Sequence, residues 1–157
     1  MAFEGPGKKR KVLYSMLVLA AVLGGAVFAT AAATTYLRSQ DPINQCITEP
    51  TSQPFQISVP ITVTKDGAPL PVERGVGMNN ECIRPVHTLE ENVIHAAYGR
   101  PHAFTLGHFL YYWLGEDLLK YDAAVRVNDI LHSSGDFRDI VLRPGDSIRI
   151  DFTTKNQ

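Results

Sequence analysis

The sequence lacks the patterns that mark the commoner enzymes. It has no Gly-x-Ser-x-Gly elbow to expose a serine nucleophile at a strand-to-helix turn. The nearest thing to a phosphate loop, Gly75-Val76-Gly77, has neither the strand before it nor the helix after it that such a loop needs. The adjacent carboxylates Glu90-Glu91 and Glu116-Asp117 fall in turn-like stretches, where paired acids mark solvated positions. Cysteine is scarce, with two residues in the chain and no C-x-x-C spacing to hold zinc. A strong charge of one sign is also missing, since the 157 residues carry a net charge of -1. The first eleven residues carry +3, which leaves -4 on the remainder. An acidic body of that kind offers no footprint for nucleic acid. At 45% hydrophobic and 20% charged residues, the composition excludes disorder and is enough for one domain with additions. No catalytic constellation is expected, and the chain is read as a non-enzyme.

The most informative absence is of charge in one long run. From Val12 to Leu37 no Asp, Glu, Lys or Arg occurs. A spanning helix needs about 20 mainly apolar residues, and this run supplies them. Lys8, Lys9, Arg10 and Lys11 precede it, and only Arg38 follows closely. The positive-inside rule then predicts a single-pass protein of the cell membrane. Its basic N-terminus (1–11) is cytoplasmic, its helix covers 12–37, and everything after is extracytoplasmic. Alone, K-K-R-K is also a nuclear-import pattern, but the adjoining apolar run makes it a membrane flank. Tyr14 and Tyr36 fall near the two ends, where amphipathic rings suit the interface. The rival reading is a cleaved signal peptide with Ala29-Thr30-Ala31 as its A-x-A site. An h-region is usually about 7–15 residues, and this run is longer. Both readings export the body.

Within the run, Ala20 and Gly24, Ala21 and Gly25, Gly25 and Ala29, and Ala29 and Ala33 each lie four apart. Small residues at that spacing let helices approach closely in lipid, so other transmembrane subunits are expected partners. An Ala-rich helix without a partner shows the same pattern. Residues 38–54, RSQDPINQCITEPTSQP, are polar and dotted with proline, and read as a stalk. Cys46 lies in this stalk and Cys82 in the body. An even cysteine count in an oxidising compartment predicts a disulfide between them.

The body, 55–157, reads as a mixed sheet with one helix. Phe55, Ile57, Val59, Ile61 and Val63 alternate with polar residues, the mark of a half-buried strand. Lys65-Asp66-Gly67 signals a turn, Pro69 to Val72 begins a return arm, and the prolines demote this pair to a sheet edge or an irregular strand. Asn92 to Tyr98 forms a second apolar run. Thr105 is placed to N-cap a helix whose apolar face is Leu106, Phe109, Leu110, Trp113 and Leu114, with Gly115 at its end. Ala123 to Asn128 reads as a strand. Ile140 to Leu142, a Pro144-Gly145-Asp146 turn, and Ile148, Ile150 and Phe152 read as the approach to a closing strand. Hairpin, strand, helix, strand, strand is the α+β order of a β-grasp domain. Leu142 to Ile150 also resembles the closing turn and strand of small sulfur-carrier proteins. Those carriers need a terminal Gly-Gly, and this sequence runs out through Thr153-Thr154-Lys155-Asn156-Gln157.

Three stretches carry a narrower likeness: Cys82-Ile-Arg-Pro-Val-His87-Thr88-Leu89-Glu90, Ile94-His95-Ala96-Ala97, and Phe104-Thr-Leu-Gly-His108-Phe-Leu with Trp113. They resemble a family of small exported proteins of archaea and some bacteria. Its core runs C-x-x-x-x-H-T-H-D, I-H-x-E-S-P and F-T-L-G-x-F-F-x-x-W, and the likeness covers most of Phe55 to Phe152. The chain departs from that pattern in three places. Leu89 replaces the second histidine, Ala96-Ala97 replaces the Glu, and Ile57-Ser58-Val59 carries no histidine where many members have His-x-His. If the family's histidines hold a metal, this chain keeps only part of the set. The family occurs in ammonia-oxidising archaea, so the resemblance implies a copper-dependent membrane monooxygenase as one host for such a subunit.

His87, His95, His102 and His108 lie close together in sequence, with Met78, Cys82 and Glu90 nearby. Imidazole suits copper and zinc, and His87, His95 and His108 are the candidate ligands. No bound cofactor is otherwise expected. Alternation puts His95 opposite Ile94 and Ala96, within reach of His87 if their segments pair. The ordinary alternatives are a core histidine at 95, an exposed one at 102 and a packing one at 108. On the helix, Phe109, Leu110, Tyr111, Tyr112 and Trp113 spread wider than one core-facing stripe requires. Two functions stay open: a non-enzymatic accessory subunit of a larger membrane complex, and an extracytoplasmic copper- or zinc-binding module.

Overall fold

The computed structural model describes residues 6–132 and 136–155. The first five residues of the basic N-terminus, together with Asn156 and Gln157, lie outside the described residues. The chain divides into two compact units, Met1–Asp41 and Pro42–Gln157.

The first unit is one α-helix, α1, spanning Pro6–Gln40. Within it, the 21 residues Met16–Tyr36 are long and apolar enough to cross a membrane. At 1.5 Å per residue they extend about 31 Å, which matches a hydrocarbon core of about 30 Å. This stretch is apolar all round, without a polar face. That is the pattern of a helix immersed in apolar surroundings, not of one lying on an interface. Its threonines satisfy themselves: the Thr30 hydroxyl donates to the Ala26 and Val27 carbonyls, and Thr34 and Thr35 donate to Ala31. None of these three hydroxyls depends on water.

The second unit is a mixed α+β domain. Its strands are β1 Phe55–Lys65, β2 Ala68–Pro69, β3 Val86–His87, β4 Val93–Tyr98, β5 Tyr121–Val127, β6 Ile130–Leu131 and β7 Ile148–Thr154. They form one sheet in the order β3-β4-β1-β7-β5-β6, with β2 also on β1. The pair β1·β7 is parallel, and β4·β1, β3·β4 and β5·β7 are antiparallel.

The predicted edge hairpin is therefore corrected. The turn at Asp66-Gly67 is present, with positive φ at both residues. The return arm shrinks to Ala68–Pro69, and β1 lies at the centre of the sheet with β4 as its long antiparallel partner. Pro60 is tolerated there because it sits at a handover. The Ile61 N–H bonds the Asn92 carbonyl on the β4 side, so the Pro60 nitrogen faces the β7 side, one residue before that ladder starts at Ile61.

The helix after β4, α2 Leu106–Trp113, begins where the sequence places it. The Thr105 hydroxyl accepts from the His108 N–H, and the His108 Nδ1 accepts from the Thr105 N–H. Histidine thus fills the place that Glu or Gln holds in the usual capping box. Leu114 is the C-cap, and Gly115 follows at φ +55, the left-handed conformation that stops a helix cheaply. Leu106, Phe109 and Leu110 join Ile57, Val59, Ile61 and Val63 of β1 and Ile148, Ile150 and Phe152 of β7 in one buried core. The approach to the closing strand, Ile140 to Leu142, makes a single bridge, Val141 to Thr105.

The predicted stalk divides between the two units. Residues 38–40 finish α1, and from Pro42 onward the chain belongs to the domain. The Ile47 N–H bonds the Ile83 carbonyl, the Tyr98 hydroxyl bonds the Gln45 side chain, and the Tyr112 hydroxyl donates to the Ile43 carbonyl. Cys46 and Cys82 form a disulfide across this seam, with Cα atoms 5.1 Å apart. The bond joins positions 36 apart in sequence, and closing a loop of that length removes unfolded-chain entropy worth about 2–4 kcal/mol. Reduction, or Cys82→Ser, should therefore lower the unfolding free energy of the full chain, measured by urea titration in mild detergent, by that amount. An unchanged free energy would mean the hydrogen bonds alone fix the seam.

Candidate functional site

The histidines singled out by the sequence separate into two groups. β3 pairs with β4 so that His87 stands directly opposite His95. β4 is held in turn by β1, with His95 opposite Ser58. Alternation turns these three side chains away from Ile94, Ala96 and Val86, which enter the core.

A two-residue strand needs support from outside the ladder, and the segment before it supplies that. The Thr88 N–H bonds the Val76 carbonyl, the Thr88 hydroxyl donates to the Glu73 carbonyl and accepts from the Val76 N–H, and the Arg84 N–H bonds the Gly77 carbonyl. Thr88 is fully buried with its hydroxyl satisfied in both directions. Gly77 is required here. Its φ is +75, and a Cβ on it would collide with the Val86 carbonyl and crowd the His87 Cα. Asn92 closes the other end. At φ +60 its side-chain oxygen accepts from the Val72 N–H, while its own N–H bonds the Val72 carbonyl.

His87 is wholly buried. Its Nδ1 lies 2.8 Å from the Arg84 carbonyl oxygen. A carbonyl can only accept, so Nδ1 carries the hydrogen and Nε2 carries the lone pair. The His95 Nδ1 lies 3.0 Å from the Ser58 hydroxyl. The two rings are 6.0 Å apart between centroids and 22° from parallel. Neither Nε2 touches solvent, and neither has a hydrogen-bond partner. The nearest carboxylate oxygen, of the exposed Glu90, is 3.6 Å from the His95 Nε2. Buried polar atoms without partners are uncommon and costly. Here two of them stand on facing residues. Burial pushes the His87 pKa below its ordinary 6.5, and neighbouring His95 adds to the lowering against the raising pull of the Arg84 carbonyl.

His108 does not share this environment. Its Nδ1 belongs to the helix cap, and its ring packs against Phe104 at 6.3 Å. His102 packs on the same phenylalanine at 4.7 Å. Among the described residues, no group of three or more His, Cys, Asp or Glu is placed to hold a metal ion. Both cysteines are consumed by the disulfide, which removes Cys82 as a thiolate ligand or nucleophile. Ser58, Thr88 and Gly77 escape the sequence reading. Ser58 shows there only as a polar position of an alternating strand, and Gly77 only as one glycine of a pair.

The aromatic helix resolves differently from the expectation of a broad surface. Tyr111 is the exposed member, at 65%, while Tyr112 bonds the Ile43 carbonyl and Trp113 packs on Phe109. On α1, no described residue of the membrane-length stretch is buried. A Cβ added at Gly24 or Gly25 would meet nothing within 4 Å, so the backbone there is open to close approach.

The sign of the pH dependence follows from His87. Its folded pKa is depressed, so on acidification the unfolded chain takes up the proton first. Stability should be full above about pH 6.5, rise with pH below that value, and fall on acidification through the folded pKa of His87. Urea midpoints of chelator-treated protein between pH 8 and 5 will show this slope, and His87→Gln should flatten it. A flat profile in the parent protein would contradict the burial of an uncharged imidazole.

No family model, curated protein or solved structure matches this chain.

Proposed function

We propose that this protein is a non-enzymatic, single-pass subunit of a larger membrane assembly, with its N-terminus cytoplasmic and its α+β domain extracytoplasmic. The observation that carries the reading is α1: 21 charge-free residues, no described one of them buried, with Gly24 and Gly25 open to close approach. Lipid covers the long side chains, such as Leu17, Leu19, Leu23 and Phe28. It gains little from Ala20, Ala21, Gly24, Gly25, Ala29 and Ala33, whereas a second helix can pack its backbone against them.

The basic run on the N-terminal side supports this orientation, and the disulfide supports an oxidising compartment for the domain. The parallel β1·β7 pair flanked by antiparallel β4 and β5, with α2 between β4 and β5, supports assigning the domain to the β-grasp class. The likeness to exported proteins of ammonia-oxidising archaea supports a copper-dependent membrane monooxygenase as one host.

Extraction from native membranes in mild detergent, followed by native electrophoresis, tests the reading. The protein should migrate with at least one other membrane polypeptide. Gly24→Leu with Gly25→Leu should release it as a monomer while leaving the domain's urea midpoint unchanged. Migration of the unaltered chain as a clean monomer would refute the subunit role.

A further inference from the structure

We propose that His87 and His95 form a two-coordinate site for a single Cu(I) ion, bound between their Nε2 atoms. The first support is that both Nε2 atoms are buried and unpartnered on residues that face each other across β3·β4. One orphaned imidazole nitrogen is a folding cost; here His87 offers a fixed lone pair, and His95 offers a second in the tautomer whose Nδ1–H donates to the Ser58 hydroxyl.

The second support is what holds the other nitrogens. A metal-binding histidine almost always engages its remote ring nitrogen with an oxygen that fixes the tautomer and the ring plane. The His87 Nδ1 donates to the Arg84 carbonyl, and the His95 Nδ1 meets the Ser58 hydroxyl. Ser58 is on β1, on the far side of β4 from β3. That contact holds the Nδ1 of His95 on the side away from His87. Nε2 lies across an imidazole ring from Nδ1, so it turns towards β3. The 3.6 Å approach of Glu90, which follows β3 closely in the chain, to this same atom agrees with that direction.

The ligand set selects the ion. Zinc takes four ligands, with three or four from protein, and no such group exists among the described residues. Burying a divalent ion carries roughly four times the self-energy of a monovalent one, because that cost grows with the square of the charge. Two neutral imidazoles supply no compensating charge, and the carboxylate nearby, of Glu90, is 68% exposed and screened by water. Among biological d-block ions that accept imidazole, Cu(I) is the one that is monovalent and satisfied by two ligands. His108 is excluded because its Nδ1 is committed to Thr105.

The test uses the full chain in mild detergent, stripped of metal and titrated anaerobically with Cu(I) against a chromophoric Cu(I) chelator. One equivalent should be retained, and X-ray absorption should report two nitrogen neighbours. His95→Gln should abolish retention, and Ser58→Ala, which removes only the orienting hydroxyl, should weaken binding by roughly 10–100-fold. Glu90→Gln should change affinity little. Because His87 is fully buried, the replacement at His95 is the decisive one; it is scored in protein whose circular dichroism matches the parent. Three results overturn the proposal: no Cu(I) held against the chelator, unchanged binding in His95→Gln, or a parallel Zn(II) titration that binds at His87 and His95 more tightly than Cu(I).

Discussion

The parallel ladder between β1 and β7 joins the start of the domain to its end, from Ile61 opposite Ile148 to Lys65 opposite Phe152. The core is built outward from it. Ile57, Val59, Ile61 and Val63 along β1, with Ile148, Ile150 and Phe152 along β7, present one continuous apolar face. α2 covers part of that face with Leu106, Phe109 and Leu110. Such a pair forms only after a long loop has closed, so its entropy cost must be met by the burial it permits. The outward side of the same ladder is stabilised by polar groups: Asp151 accepts from Thr64 and from Arg126, which holds its carboxyl below the ordinary range.

The histidine pair is a consequence of how β1 divides its partners. The first half of β1 binds β4, and β4 brings β3, so the position of His95 is set by a strand rooted in the core. Ser58 faces the site from β1, while Ile57 and Val59 on either side of it enter the core. The segment 73–84 then folds over β3 and is tied down at Cys82, whose partner Cys46 lies in the chain leading from the helix. Sheet, cover and disulfide together bury His87 and enclose the Nε2 of the partly exposed His95, and neither Nε2 has a hydrogen-bond partner. An assembly that wanted only packing there would place aliphatic side chains at lower cost.

The sequence makes some of this legible and conceals the rest for physical reasons. Alternation from Phe55 to Val63 identifies β1, and Thr105 followed by apolar residues at helical spacing identifies α2, because those signals are local. The partner of β1 is not local. Asp66-Gly67 is a true turn, and it invites the reading of a hairpin that Pro69 and Pro71 then cut short. β3 has two residues, too few for any periodicity, so the pairing of His87 with His95 is visible only once β4 is in place. His108 looks as good a ligand as either in the sequence. Its role as a capping group depends on the backbone of Thr105, which composition does not reveal. The disulfide is the exception, since two cysteines leave only one pairing within the chain.

The central claim of the proposal is topological: one membrane crossing would separate a cytoplasmic N-terminus from a folded domain outside. Spheroplasts making the full chain with different epitopes at its two ends, treated with a protease that cannot enter, test it directly. The C-terminal epitope should be lost from intact spheroplasts while the N-terminal epitope survives until the membrane is lysed. Survival of the C-terminal epitope until lysis would place the domain in the cytoplasm and contradict the account.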